Sequence, residues 1–320
     1  MRNWEPTSGP AAARRRADLL DRARGYFKAH DILAVDTPAL SKYAASNPNI
    51  DSLSVRAQHD QDLFLHTSPE FAMKRLLAGG YPDIYSICRV FRDGEIGMRH
   101  LPEFTLIEWY RLGFDLDAII GDTLRLLATC LDRPRLVKSS VQHNYADAFA
   151  AFAGVDVFEA SKEKLADRCN ADPGLRAEIG VHRDAWLDLI LATIIAPQFA
   201  HDCLTVVRHF PSSQAGLARL CPDDQRVADR FEVFCGDVEL ANGYVELRDA
   251  EEQRHRIEHD LETRQRDGRR AYPPDLSLID ALEAGLPACA GVAVGVERLH
   301  MTLDQTDDIR DVVTFASETS

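Results

Sequence analysis

The spacing of apolar residues near the start of the chain predicts one helix followed by one short strand. Over 14–30, Leu20, Ala23 and Phe27 recur at helical spacing and form an apolar stripe. Residues 32–35 form a continuous apolar segment that leads into a proline, which is typical of a strand end because proline donates no ladder hydrogen bond. The chain is therefore expected to begin with a helix–strand unit.

A hairpin with a long loop is predicted further along the chain. Two strand-like segments, 84–91 and 103–111, are separated by a polar, glycine-containing segment at 92–102. Because side chains alternate across a strand, four residues of the second segment share one face. They are Phe104, Leu106, Glu108 and Tyr110. We expect this face to form an apolar floor with a carboxylate and a phenol as polar groups.

A helix start precedes this hairpin. Ser68 is suited to cap the helix, Pro69 to occupy its first turn, and Glu70 to complement the positive end of its dipole. The helix predicted over 71–77 ends at the glycine pair 79–80. The three starting residues can act as caps alone, or they can also contact a bound molecule.

The rest of the chain alternates between helical stretches and short strands. Helical periodicity dominates 115–131 and 145–200, so we predict a helical insertion at about 115–200. The remaining predicted elements are strands at 204–207, 231–234 and 290–296 and a strongly charged helix at 249–266. No internal repeat interrupts this pattern, which predicts one domain over 1–320.

Composition is that of an ordinary globular protein, with 45% hydrophobic and 28% charged residues. No apolar run approaches the roughly 18 residues of a membrane span, and the N-terminus has no apolar signal core. We therefore expect a cytoplasmic protein without a membrane partner. The net charge of −14 is opposite to that of a free-standing nucleic-acid binder. The basic runs at 14–16 and 264–270 are more typical of solvated helix faces than of phosphate-binding patches.

Two arginines are the candidate catalytic residues. No GxxxxGK loop followed by Ser or Thr occurs, so phosphates would have to be bound by side chains. A guanidinium suits that role because it donates paired hydrogen bonds to phosphate oxygens and stays charged. Arg92 follows the first hairpin strand, and Arg298 begins a helix directly after Gly295, where a ligand can approach the backbone closely. Taken alone, Arg298 is more typical of a salt bridge on a helix face.

Two glutamates form a candidate metal site. Glu239 and Glu246 lie seven positions apart, around a turn predicted at Asn242-Gly243. Converging carboxylates repel each other unless a cation lies between them, and Mg²⁺ prefers oxygen ligands and bridges phosphates. The alternative is that both glutamates are exposed strand residues.

Three separated stretches of the chain together resemble the second and third signature motifs of class II aminoacyl-tRNA synthetases and the acidic segment of their lysyl branch. They are 91–95 with 100–104 and 108–110, then 239–247, then 291–298. The resemblance covers about residues 14–317 and implies an α+β class II catalytic domain, with an antiparallel sheet flanked by helices. It also implies ATP and Mg²⁺ as cofactors and a homodimer whose interface contains the first helix–strand unit.

The resemblance also implies roles for the residues that match those motifs. In class II synthetases the first arginine, here Arg92, binds the α-phosphate of ATP, and the last, here Arg298, binds the γ-phosphate. The other implied ATP-binding residues are Asp93, Gly94, Glu95, His100, Leu101, Phe104, Glu239, Leu240 and Gly295. The implied amino-acid site consists of Ser68, Pro69, Glu70, Tyr110, Asn242, Glu246 and Ala293. Glu246 would hold a distal ammonium with Tyr110, and Glu239 with Glu246 would bind the metal.

Three positions depart from the usual motifs. The second motif normally reads arginine, any residue, glutamate, whereas here Gly94 takes the third place and Glu95 follows. The adenine contact could therefore shift by one residue to Glu95. Leu101 stands where an asparagine usually contacts the nucleotide, and Ala293 stands where lysyl-tRNA synthetases usually have glycine. The added methyl group would reduce the space for an α-lysine and could suit an isomer.

The branch of the family is suggested by the start of the chain. About a dozen residues precede the first helix, where lysyl-tRNA synthetases carry an anticodon-binding domain. We therefore expect no anticodon-binding domain and no stable tRNA binding. The chain is most similar to the elongation factor P lysyl ligases, which activate (R)-β-lysine and attach it to a lysine of elongation factor P. The resemblance implies lysine or β-lysine as the substrate and elongation factor P as the acceptor.

Two other interpretations stay open at this point. A minimal synthetase-like enzyme could charge a tRNA or another small acceptor, although the acidic net charge argues against it. A catalytically silent, synthetase-like regulator is the second alternative, with Gly94 and Leu101 as its evidence. The presence of both arginines and both glutamates argues against this second alternative.

Overall fold

The computed structural model describes residues 4–57 and 62–316. The described helices are α1 (Pro10–Ala29), α2 (Glu70–Ala78), α3 (Leu116–Cys130), α4 (Tyr145–Ala148), α5 (Lys162–Arg168), α6 (Pro173–Ile179), α7 (Arg183–Ile190), α8 (Ala250–Arg266), α9 (Leu276–Gly285) and α10 (Val296–Asp304). The described strands are β1 (Leu33–Ala34), β2 (Leu40–Ser41), β3 (Ser54–Arg56), β4 (Asp62–Leu65), β5 (Ile84–Phe91), β6 (Glu103–Leu112), β7 (Val141–Asn144), β8 (Thr205–Arg208), β9 (Arg230–Cys235), β10 (Val238–Val245) and β11 (Cys289–Gly295). Among these helices, none combines the length and apolar character needed to cross a membrane.

An eight-stranded sheet in the order β1-β5-β6-β11-β10-β9-β8-β7 forms the centre of the fold. Its two outer pairs, β1 with β5 and β7 with β8, are parallel, and the pairs between them are antiparallel. A separate three-stranded sheet has the order β2-β4-β3. The α+β class is confirmed, with a largely antiparallel sheet and helices packed on its faces.

Helices α1 and α3 cover one face of the large sheet. Leu19, Ala23 and Phe27 of α1 are buried with Ile120 of α3 in the largest apolar core, called the main core below. Leu20, which we expected on the buried stripe, is only partly buried. The stripe follows Leu19, Ala23 and Phe27 because a spacing of four residues stays on one helix face, and Leu20 lies at its edge.

The opposite face of the sheet carries two groups of helices. Helices α2, α8 and α9 pack together beside β5 and β6, where Met73, Ile257 and Leu278 share one buried apolar cluster. The helices between 145 and 198 form another apolar cluster, centred on Trp186. Helix α3 belongs to the main core, so the segment 115–200 contributes to two separate cores.

The predicted hairpin is confirmed as the pair β5 and β6. The two strands are antiparallel, with Ser86 opposite Glu108 and Ile84 opposite Tyr110. Trp109 of β6 is buried in the main core, whereas its neighbours Glu108 and Tyr110 lie on the other face of the sheet. The alternation read from the sequence therefore separates core residues from polar ones as expected.

The turn expected at Asn242-Gly243 is wrong. Both residues lie inside β10, where Gly243 is opposite Phe231 of β9 and Val292 of β11. A Cβ atom at Gly243 would lie 2.7 Å from side-chain atoms of both neighbours. Gly243 is therefore required by close side-chain packing on the core face of the sheet, and not by a turn.

The charged helix is confirmed as α8, in which Ile257 is buried and Leu261 is partly buried. Its last turn is not the solvated basic face that we expected, because Arg264 is fully buried. The Arg264 guanidinium donates to the carbonyl oxygens of Asn47, Ile50 and Arg270 and forms an ion pair with Asp51. A buried guanidinium needs partners for its N–H groups, so Arg264 ties the segment before β3 to the end of α8.

Gly243→Ala is expected to lower the free energy of unfolding by about 1–3 kcal/mol, because the added methyl group overpacks the contact with Phe231 and Val292. The matched control is Gly25→Ala in α1, where nothing lies within 4 Å of a Cβ position. That control should raise the free energy of unfolding by roughly 0.5–1 kcal/mol. Urea unfolding followed by circular dichroism measures both values. An unchanged stability of Gly243→Ala would contradict the packing role.

Candidate active site

One row of side chains crosses five strands on the face opposite the main core. Ser86, Glu108, Ala293, Asn242 and Glu232 are opposite one another on β5, β6, β11, β10 and β9. Paired residues of an antiparallel sheet share a face, so these side chains line one surface. The adjacent row on this surface consists of Ile84, Tyr110, Gly291, Tyr244 and Arg230. The sheet thus brings together residues from all three sequence motifs.

A bulge in β10 brings Glu239 to the same surface. The register against β9 shifts between Glu239 and Ala241, which leaves Leu240 as an extra residue. Without this shift, Glu239 and Glu246 would lie on opposite faces, because they are an odd number of positions apart. The Leu240 side chain is buried in the main core and is not available to a nucleotide.

Arg298 lies in the first turn of α10, close to the start of β10. Its Nη1 is 3.0 Å from Oε2 of Glu239, and its Nη2 is 2.5 Å from Nε2 of His100. The preceding residue, Glu297, is buried and accepts a hydrogen bond of 2.9 Å from the backbone N–H of Thr105. This contact anchors α10 to β6 and so fixes the position of Arg298. The sequence reading did not identify Glu297 as a supporting residue.

Arg92 directly follows β5. Its guanidinium lies 5.0 Å from the centre of the Phe104 ring, and its Nη1 is 3.6 Å from Oε1 of Glu95. Burial lowers the pKa of His100, and the positive charges of Arg298 and Arg92 act in the same direction. His100 is therefore within electrostatic reach of both arginines. Two guanidinium groups from distant parts of the chain, those of Arg92 and Arg298, thus act on the same imidazole.

In the loop between β5 and β6, one residue implied by the motifs is buried away from a nucleotide site. Gly94 has a φ angle of +77°, a left-handed conformation that favours glycine, at the turn before Glu95. The backbone N–H of Asp93 donates to the carbonyl oxygen of Asp51 at 2.8 Å. Leu101 is buried in an apolar cluster with residues of α10 and the C-terminal segment. The Leu101 side chain is therefore not available to a nucleotide.

Ser68, Glu108 and Tyr110 form a hydrogen-bonded group on β6 and the start of α2. The hydroxyls of Ser68 and Tyr110 donate to different oxygens of Glu108, each at 2.8 Å. The Ser68 hydroxyl also accepts the backbone N–H of Glu70 at 3.0 Å. The N-cap position of α2 is Pro69, however, so the prediction that Ser68 caps this helix is wrong. Pro69 itself is buried. Burial and the neighbouring Glu70 raise the pKa of Glu108 to about 7.

Lys74 is a site residue that the sequence reading missed. From the middle of α2, its Nζ lies 2.7 Å from Oε1 of Glu70 and 2.5 Å from Oε2 of Glu246. Tyr244 donates a hydrogen bond of 2.6 Å to the same Glu70 oxygen. Burial acts to lower the pKa of Lys74, but Glu246 and Glu70 outweigh it and raise the pKa above its ordinary value. The feature of the sequence that could have identified Lys74 is its spacing of four positions from Glu70 on one predicted helix.

The other oxygen of Glu246, Oε1, has no hydrogen-bond partner, although the residue is buried. A Cβ atom at Gly291 would lie 2.7 Å from this oxygen and 2.4 Å from a ring carbon of Tyr110. The absence of a side chain at Gly291 therefore leaves room for both groups. They line a cleft of about 1790 Å³ together with Ser68, Glu70, Arg92, Glu108, Asn242 and Ala293.

Glu232 on β9 is a further acidic residue that the motifs did not suggest. Its Oε1 lies 2.6 Å from Nη2 of Arg230. Burial and the negative charge of Glu239 raise the pKa of Glu232 to about 8. The two glutamates expected to share a metal lie in different ionic environments, since Glu239 is paired with Arg298 and Glu246 with Lys74. The negative charge of Glu239 raises the pKa of Glu232 and also that of Asp188, which lines the cleft.

The chain matches the family described as tRNA synthetases class II (D, K and N) over residues 9–319 and belongs to that family. It is 40% identical to "Elongation factor P--(R)-beta-lysine ligase" of Pseudoalteromonas translucida, over 98% of this chain and 97% of the relative. It is 38% identical to the protein of the same name from Haemophilus ducreyi, over 99% of this chain and 97% of the relative. The family predicted from the three motifs is thus confirmed.

Arg298→Ala is expected to reduce the rate of ATP–pyrophosphate exchange by roughly 10²–10³-fold, the usual effect of losing one contact to the charge that develops in a transition state. The matched control is Arg254→Ala, which removes an exposed arginine of α8 paired with Glu283 and should leave the rate unchanged. An unaltered rate in Arg298→Ala would remove Arg298 from the site.

Proposed function

We propose that this protein uses ATP to activate (R)-β-lysine as its adenylate and transfers the β-lysyl group to the ε-amine of a lysine in elongation factor P. The two relatives from Haemophilus ducreyi and Pseudoalteromonas translucida are named for both the amino acid and the acceptor protein. This chain aligns with 97% of the length of each. Membership of the class II synthetase family supports ATP as the activating substrate.

The distribution of charge in the site is the observation that carries this proposal. Arg92 and Arg298 offer guanidinium groups for phosphates, while Glu70, Glu108 and Glu246 offer carboxylates on the same surface. This arrangement fits ATP beside an amino acid that has an additional ammonium group. A buried carboxylate discriminates strongly, because a ligand without the ammonium leaves it unpaired.

In the first step, an oxygen of the amino-acid carboxylate forms a bond to the α-phosphorus of ATP, and the bond from that phosphorus to pyrophosphate breaks. The attacking carboxylate is already ionised, so no general base is required. Arg92 would hold the α-phosphate and Arg298 the γ-phosphate, with the adenine beside Phe104. Catalysis then consists of positioning and charge stabilisation.

In the second step, the uncharged ε-amine of the acceptor lysine attacks the carbonyl carbon of the adenylate. The new C–N bond replaces the bond to AMP, and the amine loses a proton as the amide forms. Ala293 lies between Glu108 and Asn242 in the central row, so its methyl group narrows the floor of the cleft. We propose that this narrowing favours the β-amino acid over α-lysine.

Mg²⁺ fits Glu239 and Glu232 better than the pair expected from the sequence. These two carboxylates share a surface, and their mutual repulsion would be relieved by a divalent cation with oxygen ligands. Glu246 lies at the other end of β10 from Glu239, where it is paired with the Lys74 ammonium, so we propose it as a ligand of the amino acid only. When bound, the ion would supply charge neutralisation for the phosphate oxygens.

A homodimer is the proposed assembly. The short edge strand β1 leaves Leu33 45% exposed, and Leu40 of β2 is 43% exposed. A second copy covering this region would remove apolar surface from water. Sedimentation velocity at micromolar concentration should show a dimer, and Leu33→Glu should weaken it. A wild-type monomer under these conditions would contradict the proposal.

Pyrophosphate exchange with a panel of lysine isomers tests the function. We expect the fastest exchange with (R)-β-lysine, followed by a mass increase of one β-lysyl group on elongation factor P. Elongation factor P with arginine in place of its acceptor lysine is the control. Exchange without any mass increase would reject the acceptor. No exchange with any isomer would favour a silent regulator. Charging of tRNA would favour the minimal synthetase, although the net charge of −14 argues against tRNA binding.

A further inference from the structure

Lys74 links two carboxylates, those of Glu70 and Glu246, in the part of the site proposed to bind the amino acid. Lys74 is 1% exposed, and its ammonium lies between Glu70, on its own helix, and Glu246, at the end of β10. Its Nζ is also 5.6 Å from the centre of the Tyr244 ring. A buried ammonium is costly unless it is paired, so the two neighbouring carboxylates stabilise the charged form of Lys74.

The charges at this end of the cleft do not balance. The ammonium of Lys74 contacts Glu70 and Glu246, and a third carboxylate, that of Glu108, lies within electrostatic reach of all three groups. Like charges in a buried site repel each other and favour protonation unless cations compensate them. Lys74 compensates one negative charge, and the remainder is available to the amino groups of a ligand.

Lys74 neutralises Glu246 without blocking it. The ammonium contacts Oε2, whereas Oε1 has no hydrogen-bond partner and lies above Gly291 beside the ring of Tyr110. Glu70 is held in a similar way, because its Oε1 receives both Lys74 and the Tyr244 hydroxyl. The lysine therefore pairs with one oxygen of each carboxylate and leaves Oε1 of Glu246, a residue that lines the cleft, without a hydrogen-bond partner.

We propose that Lys74 is a positioning residue for the amino-acid substrate, which keeps Glu246 charged and oriented so that its free oxygen can receive the distal ammonium of a diamino acid. This inference rests on the proposed function. It adds that recognition of the second amino group depends on a residue that does not itself contact the substrate.

Loss of Lys74 should make substrate binding depend on pH. The titratable groups around Lys74 and Glu246 are Glu70 on α2, Glu108 and Tyr110 on β6, Tyr244 on β10 and Cys289 on β11. Burial raises the pKa of Glu246, Lys74 opposes that rise, and Glu70 and Glu108 add to it. With Lys74 in place the pKa of Glu246 is about 8, so without Lys74 it would rise further, and a smaller fraction of Glu246 would be charged at each pH until the pH exceeds the new pKa.

The test compares wild-type protein with Lys74→Met in ATP–pyrophosphate exchange between pH 6.5 and 9. For Lys74→Met we expect the KM for (R)-β-lysine to rise roughly 10- to 100-fold at pH 7 and to recover towards pH 9, as for a buried carboxyl shifted by one to two pH units. The KM for ATP should change by less than about threefold, because the ion pairs of Lys74 are with Glu70 and Glu246 and not with groups that contact Arg92 or Arg298. Calorimetric titration with (R)-β-lysine gives the same comparison without turnover.

Two variants separate positioning from a general loss of structure. Lys74→Arg retains a positive charge and should keep a pH dependence close to that of the wild type. Lys164→Met on the exposed surface of α5 should leave all values unchanged. If Lys74→Met does not fold, Lys74→Gln, which removes the charge but keeps a polar group beside Glu70 and Glu246, replaces it in the test.

The outcomes distinguish this inference from the proposed function. A normal wild-type response with a KM in Lys74→Met that is unchanged, or raised equally at every pH, would overturn the role of Lys74 alone. An equal loss of ATP affinity would also overturn it, because the lysine would then act on the whole fold. A wild-type protein that neither binds nor activates any diamino acid would overturn both.

Discussion

The hydrogen-bonded register of the central strands is the constraint on which the site depends. Along β6, Trp109 is buried in the main core, while Glu108 and Tyr110 face the cleft. A slip of one residue would place Glu108 in an apolar core and expose Trp109, so burial of the core residues enforces the register. The same alternation that builds the core therefore aligns Glu108 with Ala293 and the rest of the central row.

Two local departures from regular pairing adapt β10 to its role. The bulge at Leu240 turns Glu239 towards Arg298, and the absence of a side chain at Gly243 leaves room for the side chains of Phe231 and Val292. The strand can then carry Glu239 near its start and lead into Glu246 directly after its end, with both on the cleft side. One continuous strand thus connects the proposed phosphate-binding end of the site with the proposed ammonium-binding end.

The two ends differ in the way that charge is balanced. At the arginine end, Arg298 and Glu239 remain partly exposed, so water and a nucleotide can compete for them. At the carboxylate end, Lys74 and Glu246 are almost completely buried, and each depends on the other for charge compensation. The first arrangement suits a large, flexible cofactor with several negative charges. The second suits a small substrate that must be distinguished by the position of its amino groups.

The local sequence pattern was sufficient to predict the hairpin and helix α8 and to identify the three motifs. Alternation, helical spacing and motif residues are all properties of neighbouring positions. Those motifs also correctly assigned the chain to its family. The strand conformation of Gly243, the burial of Arg264 and Leu101, and the ion pair between Lys74 and Glu246 required the tertiary structure. These features depend on which distant segment packs against each residue. A lysine on a helix looks the same in sequence whether water or a buried carboxylate surrounds it, and only the packing of the strands and helices decides between them.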